Sequence, residues 1–318
     1  MSECPLPPEG SLSSAAPTTP GEVIDAHTHL FTVGLLRELV ESMEHPPPRF
    51  KEALERRQFG RRADVLPDLS PQQAACWYLE RLQAARVSKA LVMSIAPDNQ
   101  WTRDFLMAAN GHVHALCSID PRDPLGLAQL EREVAAGFRG VKLLPVNRCY
   151  NLSDPACRPF FEKVAELGVN ITIHYGVTVD PTGDLRYADP IDLSPVARDF
   201  PDTKFVIAHF GAGWLDSILR LSYQCKNVCV DTSGTNNWMD YYVPKLTLAE
   251  VFERCLMAMG PERVLFGTDS GTTAPYRTWI KHSQVRVLDE LGLSDGDKDL
   301  ILRGNAARIF RLDEPLLP

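Results

Sequence analysis

The sequence predicts an α/β fold: a (β/α)8 barrel of the TIM type with an insertion after its first strand. Three observations support this prediction. Eight short, β-rich apolar runs are distributed along the chain, amphipathic segments of helical periodicity separate most of them, and 318 residues suit a single barrel domain. Strands that alternate with helices form parallel βαβ units, and eight such units close a barrel.

The predicted strands are short runs in which apolar residues dominate. They are VIDAHTHL (23–30), KALVMSI (89–95), VHALCSI (113–119), GVKLLP (140–145), NITIHYG (170–176), KFVIAHF (204–210), NVCVDTS (227–233) and RVLFGTD (263–269). Segments such as PLGLAQLEREVAAG (124–137) and GWLDSILRLSYQC (213–225) lie between them and predict helices that pack on the outside of the barrel.

Two segments do not fit a minimal barrel. Residues 1–20 are rich in Pro, Ser and Thr, without the basic and apolar regions of a signal peptide, and predict a disordered tail. Residues 32–70, which follow the first strand, are charged and interrupted by prolines, and predict a lid or insertion over the top of the barrel. Apart from this insertion, residues 21–318 predict one barrel domain.

Composition narrows the class of partner. The net charge of −8 and the absence of a basic stripe argue against nucleic acid and against anionic membranes, and no apolar run approaches the roughly 20 residues of a membrane span. The eight cysteines form no paired metal-binding motif, so we expect reduced thiols in a cytoplasmic protein. We expect a small-molecule substrate as the partner, and the sequence leaves a homo-oligomer open.

Five polar side chains recur where predicted strands end, at the carboxyl-terminal face on which barrels of this kind carry their chemistry. They are His27, His29, His174, His209 and Asp269. An unpaired polar group within an apolar run is costly, and one such histidine alone is more often satisfied by a hydrogen bond than by a metal. Their coincidence at strand ends instead predicts a site for Zn2+ or another divalent transition metal.

A second His-x-His pair offers an internal comparison. His112 and His114 lie at the start of the third predicted strand, and therefore at the bottom of the barrel. We predict a structural or surface role for them.

The ordered set of motifs DAHTHLF, GVKLLP, ITIHYG, IAHFGAG, VLFGTDSG and GNAARIF resembles the amidohydrolase superfamily. More narrowly, residues 22–312 resemble the amidohydrolase-related (amidohydrolase 2) family. That resemblance implies a distorted TIM barrel and a metal-dependent enzyme. It implies His27, His29, His174 and Asp269 as ligands of one metal, His209 as the catalytic imidazole, and Asp269 as both a ligand and a proton shuttle.

The function predicted from these residues is a metal-dependent hydrolase that uses metal-activated water on a small cyclic amide, ester or lactone. The alternative is a non-oxidative decarboxylase of an aromatic or unsaturated carboxylic acid, because both reactions use the same ligands. A barrel that binds a ligand without catalysis is a third reading, which the complete ligand set disfavours.

Lys142 raises the question of how many metals are bound. The lysine strand of dihydroorotases and hydantoinases is similar to GVKLLP, and there a carbamylated lysine bridges two metals. An unmodified lysine could instead pair with a carboxylate or hold an anionic substrate, so that one metal is bound. We predict the second arrangement, with about one metal per chain and Lys142 as a polar residue of the pocket.

The loops after strands 4 and 7 carry the candidate substrate contacts. Asn147 and Arg148 follow strand 4, and Arg148 could hold a substrate carboxylate bidentately or remain a solvated loop residue. Trp238 follows strand 7 and could stack on the substrate or pack beneath the lid.

Overall fold

The computed structural model describes residues 22–41, 46, 48–57, 66–94, 100–178, 180, 183–272 and 275–314. In this part of the chain nine parallel strands form one sheet, in the order β8-β7-β6-β5-β4-β3-β2-β1-β9. The strands are β1 (Val23–His29), β2 (Val87–Met93), β3 (Val113–Ser118), β4 (Gly140–Leu143), β5 (Asn170–Ile173), β6 (Phe205–Ile207), β7 (Val228–Asp231), β8 (Val264–Leu265) and β9 (Ser270–Gly271).

The last two strands join the two edges of the sheet. β8 pairs with β7, whereas β9, only a few residues further along the chain, pairs with β1. Between them, the backbone N–H of Ala26 donates to the carbonyl of Phe266 at 2.9 Å. The eighth strand is therefore shorter than the predicted 263–269, and β9 begins only after Asp269, whose left-handed backbone conformation (φ 57°) interrupts an extended chain. The predicted α/β barrel is confirmed.

The described residues also form thirteen α-helices, which surround the sheet. They are α1 (Val33–Glu41), α2 (Pro48–Arg56), α3 (Pro71–Ala84), α4 (Gln100–Ala108), α5 (Gly126–Ala135), α6 (Pro145–Arg148), α7 (Arg158–Leu167), α8 (Ser194–Asp199), α9 (Leu215–Gln224), α10 (Leu248–Met259), α11 (Thr278–Glu290), α12 (Asp295–Asp299) and α13 (Asn305–Phe310). Helix α7 shows the general pattern, since Phe160, Phe161 and Val164 bury its apolar face.

Alternating strand residues divide the core into two layers. The outer layer packs the strands against the helices and includes Val92, Val141, Ile171, Phe205 and Val230. The inner layer fills the barrel with Ile24, Ala26, Leu91, Met93, Leu116, Val206, Cys229 and Leu265, joined by Ala306, Ile309, Phe310 and Leu312 from α13 and the residues after it. Because this apolar plug occupies the lower part of the barrel, polar side chains are left to the upper end, where the strands finish.

Some sequence expectations lie outside the described residues or are not tested. The tail at 1–20 lies outside them, and the segment 32–70 contributes α1 and α2, whose role as a lid stays a prediction. Six described cysteines are free, but Cys76 is disulfide-bonded, so the expectation of reduced thiols is wrong there. A sequence does not show which cysteines come within bonding distance, so this bond could not be predicted from it. Among the described helices, none combines the length and the apolar character that a membrane crossing requires.

Candidate active site

The two histidines of β1 lie side by side at the upper end of the barrel. Their ring centroids are 5.2 Å apart, and His27 is fully buried. The pairing of β1 with β2 shifts register between Asp25 and Thr28, an irregularity of the kind that re-aims side chains at strand ends. Buried Nε2 of His27 and Nδ1 of His29 have no hydrogen-bond partner within the described residues.

His209 enters the same cluster from the end of β6. Its ring centroid is 4.7 Å from that of His27, and its Nδ1 lies 2.8 Å from the hydroxyl oxygen of Ser233. The backbone is left-handed at both His209 (φ 56°) and Phe210 (φ 49°), which is uncommon for residues with a side chain and is concentrated at functional sites. Gly234 gives the imidazole room, since a Cβ there would lie 3.2 Å from Nδ1.

Asp231, which the sequence reasoning did not select, connects these two histidines. Its Oδ2 lies 2.8 Å from Nδ1 of His27, and its Oδ1 accepts the backbone N–H of His209 at 3.0 Å. Oδ1 also accepts from the backbone N–H and the hydroxyl of Ser233, whose oxygen contacts the His209 ring. The signal was present in the sequence, because Asp231 closes the apolar run NVCVD as the other site residues close theirs.

The electrostatics of the cluster favour neutral imidazoles beside ionised carboxylates. Burial, helped by the charge of Lys142, lowers the pKa of His27 to about 3. Burial also lowers the pKa of His209 and His174. For Asp231 burial acts to raise the pKa, but the interaction with His27 and the hydrogen bond from the Ser233 hydroxyl outweigh it and hold that pKa below its usual range. Neutral nitrogens are the form in which histidine binds a metal or accepts a proton.

Asp269 is held in place from three directions. Its Oδ1 lies 3.1 Å from Nε2 of His29, its Oδ2 lies 3.1 Å from a guanidinium nitrogen of Arg277, and its backbone N–H donates to the carbonyl of His27 at 2.8 Å. Burial acts to raise the pKa of Asp269, yet the hydrogen bond and charge of His29 keep it well below the usual value. The sequence reasoning also missed Arg277, which follows a loop and not a strand.

The donor set fits a divalent transition metal. One donor atom from each of His27, His29 and Asp269 lies within 4.8 Å of the others, and so do donor atoms of His27, His209 and Asp231. The unpartnered Nε2 of His27 is free to bind a metal, because its Nδ1 is already committed to Asp231. A carboxylate on the far ring nitrogen is the arrangement that orients histidine ligands in metal sites.

His174 lies next to this cluster and outside both donor groups. Its ring centroid is 5.0 Å from that of His209, and its Nε2 is 3.2 Å from the carbonyl oxygen of Val177. The structure therefore brings His174 into the cavity, and its role as a metal ligand stays a prediction.

Lys142 is buried beside the same cluster. The strand register places it beside Ser118 on β3 and Thr172 on β5, and its ammonium nitrogen has no hydrogen-bond partner within the described residues. Burial lowers the pKa of Lys142 to about 8, while the charges of Asp231 and Asp269 act to raise it. The ammonium group is thus available to a substrate group or to modification, and neither alternative is tested.

The three side chains predicted to contact the substrate form hydrogen bonds within the protein. Arg148, at the end of α6, donates to the hydroxyl of Ser118 at 3.0 Å, one strand away from Lys142. Asn147 donates to Asp180 at 3.1 Å, and its buried carbonyl oxygen has no partner within the described residues. Trp238 is buried, packs edge-on against Tyr242 and donates its indole N–H to Asn236 at 3.0 Å. Their substrate roles stay predictions.

Known proteins resemble this chain in sequence and in fold. A 2-keto-4-carboxy-3-hexenedioate hydratase from Sphingobium sp. is 32% identical over 218 residues, which cover 60% of this chain and 62% of that protein. A dihydroorotase from Yersinia enterocolitica is 36% identical over 96 residues and 27% of each chain. The chain therefore matches less than two thirds of the length of either curated relative.

Solved structures repeat the barrel at low sequence identity. A putative 2-pyrone-4,6-dicarboxylic acid hydrolase from Pseudomonas putida superposes with a TM-score of 0.62 at 21% identity, covering 92% of this chain and 98% of that one. A 5-carboxyvanillate decarboxylase from Sphingomonas paucimobilis superposes with a TM-score of 0.63 at 17% identity, covering 92% and 99%. The family model described as amidohydrolase matches residues 24–312. On that match, the chain belongs to the amidohydrolase family.

Proposed function

We propose that this protein is a metal-dependent hydrolase that adds water to a small cyclic ester, amide or lactone carrying a carboxylate. The observation that supports this most directly is the convergence of unpartnered His27 and His29 nitrogens with Asp269, beside a neutral imidazole on His209. One Zn2+ or another divalent transition metal per chain, held by His27, His29 and Asp269 with His174 as a further ligand, suits this donor set.

The chain's own residues supply proton transfer in this proposal. A divalent metal bound there supplies Lewis-acid activation of water and of the substrate carbonyl. His209 is neutral and takes a proton from the attacking water, since burial lowers the pKa of its imidazole. Ser233 fixes the direction of that ring through Nδ1, and Asp231 holds Ser233 in turn. The protonated His209 then gives its proton to the leaving group, while Asp269, whose pKa is held well below its usual value, stays an ionised ligand.

The carboxylate on the substrate is inferred from the positive charges at the cavity. The ammonium group of Lys142 is buried there, and the Arg277 guanidinium is half-buried against Asp269. Arg148 lies one strand from Lys142 with a neutral hydroxyl as its side-chain partner. A buried ammonium group needs an anion to offset its desolvation, and a substrate carboxylate can provide it.

Hydration of an unsaturated carboxylic acid is the second candidate, favoured by the relative that is a hydratase. It uses the same activated water and the same neutral imidazole, and differs only in adding water to a carbon–carbon double bond. Decarboxylation is the remaining alternative, and the resemblance to a decarboxylase at 17% identity speaks for the shared fold alone.

One set of assays separates these reactions. Protein loaded with zinc or manganese is incubated with a carboxylated pyrone lactone, an unsaturated dicarboxylate and a hydroxylated benzoate, and products are followed by mass spectrometry and CO2 release. We expect ring opening with a gain of 18 mass units, the mass of water. Water addition to the double bond would favour the hydratase, CO2 release would favour the decarboxylase, and no metal-dependent turnover would contradict the proposal.

The role of His209 has its own test. We expect His209→Ala to retain its metal and to lose activity about a hundredfold or more, because a general base contributes about that much. Metal content by elemental analysis accompanies each rate. If the variant loses its metal instead, His209 is a ligand and its assignment as the base is wrong.

A further inference from the structure

A second cavity lies at the opposite end of the barrel from the cluster around His27. Its volume is about 430 Å³, and its walls include Lys204, Lys226, Arg263, Arg308 and Glu262, with Cys229 at the apolar inner layer of the barrel. Four cationic side chains and one carboxylate therefore line a cavity in a protein whose net charge is −8.

The sequence positions of three of these cations explain why they converge. Lys204 precedes β6, Lys226 stands two residues before β7, and Arg263 precedes β8. Neighbouring parallel strands begin at the same end of the barrel. The residues that precede β6, β7 and β8 are therefore neighbours in space. Arg308 on α13 completes the group, since α13 closes this end of the barrel.

Within the described residues these four side chains form no ion pair, and Glu262 is the one carboxylate in the wall of the cavity. Arg263 donates its guanidinium to backbone carbonyls, including those of Met259 at 2.8 Å and Ala258 at 3.2 Å, and the charge of Glu262 acts on it without an ion pair. Arg308 likewise donates to the backbone carbonyl of Glu262 at 2.8 Å and to Asn305. The ammonium groups of Lys204 and Lys226 form no ion pair with any described carboxylate, and Lys226 lies 5.5 Å from the Tyr223 ring.

The positive charges act together at the inner wall. Burial raises the pKa of the Cys229 thiol to about 11. The charges of Arg263, Lys204 and Arg308 act to lower that pKa, and the charge of Glu262 acts to raise it. Their fields therefore overlap at one point of the cavity. Mutual repulsion of like charges destabilises the empty arrangement, and an anion would relieve it.

We propose that this cavity binds a small polyanion, a metabolite carrying phosphoryl or several carboxylate groups, at a site separate from the catalytic cluster. Lys204 and Lys226 supply ammonium donors, and Arg263 and Arg308 supply charges that hydrogen bonds hold in place. Four cations against one carboxylate match a ligand of about three negative charges, of which pyrophosphate and citrate are examples.

Isothermal titration of the full chain with pyrophosphate, and separately with citrate, tests the site. We expect one equivalent to bind, more weakly as salt increases, with the tighter probe identifying the anionic group as phosphoryl or carboxylate. The Lys204→Ala/Lys226→Ala double variant should bind at least tenfold more weakly. The Lys51→Ala/Lys245→Ala double variant removes the same charge from segments that follow β1 and β7, and should bind as the parent does.

Both probes can also chelate a metal, so the catalytic site needs a control. His29→Gln removes a ligand of that site and should leave polyanion binding unchanged. Loss of binding in His29→Gln with binding kept in Lys204→Ala/Lys226→Ala would overturn the proposal. So would equal weakening by the two double-lysine variants, or the absence of binding to the parent at millimolar probe.

Discussion

At the scale of single residues, Asp231 holds two of the site's histidines in place, although the sequence analysis did not select it. It holds the Nδ1 of His27 and the backbone of His209, and it reaches the His209 ring through Ser233. We expect Asp231→Asn to weaken metal binding by 10- to 100-fold, about the effect of losing a partner that orients a ligand. Metal titration measures this, and Asp240→Asn, an exposed control after β7, should match the parent; equal affinities in both variants would contradict the role.

We expect replacement of Lys142 by Met to have opposite effects on stability and on catalysis. Its ammonium group is buried without a hydrogen-bond partner in the described structure, so burial costs free energy that an apolar side chain of similar length would not. We expect Lys142→Met to raise the free energy of unfolding of the metal-free protein by about 1 kcal/mol or more. The KM for a carboxylated substrate should rise at least tenfold. Urea unfolding and steady-state kinetics check the two effects, and an unchanged KM would remove Lys142 from substrate binding.

At the scale of elements, Asp25 ties β1 to the segment that carries Asp269. Its carboxylate accepts the backbone N–H groups of His27 and Thr268, each at 3.1 Å, and the hydroxyls of Thr268 at 2.5 Å and Tyr276 at 2.6 Å. The closing segment of the barrel and the chain leading to Arg277 therefore depend on one buried acid.

We expect Asp25→Ala to lower the free energy of unfolding by about 3 kcal/mol or more, because it leaves several buried donors unpaired. Tyr276→Phe removes one of the four hydrogen bonds and should cost about 1 kcal/mol. Urea unfolding of both variants provides the comparison. If Asp25→Ala costs no more than Tyr276→Phe, the carboxylate does not join these elements.

The strands could be predicted because alternating and continuous apolar runs follow directly from burial in a parallel sheet. The break at Asp269 could not, since it depends on contacts with His29 and Arg277 that only the closed barrel provides. Strand-end position selected five histidine and aspartate residues of the cavity. Arg277 carries no such signal, whereas Asp231 does, since it ends the apolar run NVCVD.

At the scale of the whole molecule, burial of His114 makes stability depend on pH. Burial lowers the pKa of His114 from 6.5 to about 4. Between those pH values the imidazole of His114 is protonated in the unfolded chain and neutral in the folded protein. Stability is complete above pH 6.5 and is lost as the pH falls, by about 3 kcal/mol from this residue.

His114→Leu removes that contribution, so we expect a shallower loss of stability from pH 6.5 to pH 4 than in the parent. Denaturant unfolding at several pH values measures the slope. His282→Leu is the control, because the His282 side chain is exposed on α11 and remains solvated in both states. A slope that His114→Leu leaves unchanged would mean that the buried imidazole does not resist protonation.

The two ends of the barrel give the most general prediction, since each carries a His-x-His pair. His27 and His29 end β1 beside Asp269, whereas His112 directly precedes β3 and His114 is its second residue, at the opposite end of the barrel. We expect His27→Gln/His29→Gln to abolish metal binding and activity, because it removes two of three clustered donors. His112→Gln/His114→Gln should retain both metal binding and activity, even if its unfolding midpoint falls.

Elemental analysis, activity and thermal unfolding of the two double variants separate loss of the site from loss of the fold. Equal loss of metal from both would show that the motif, and not its place at the carboxyl end of a barrel strand, determines where the metal binds.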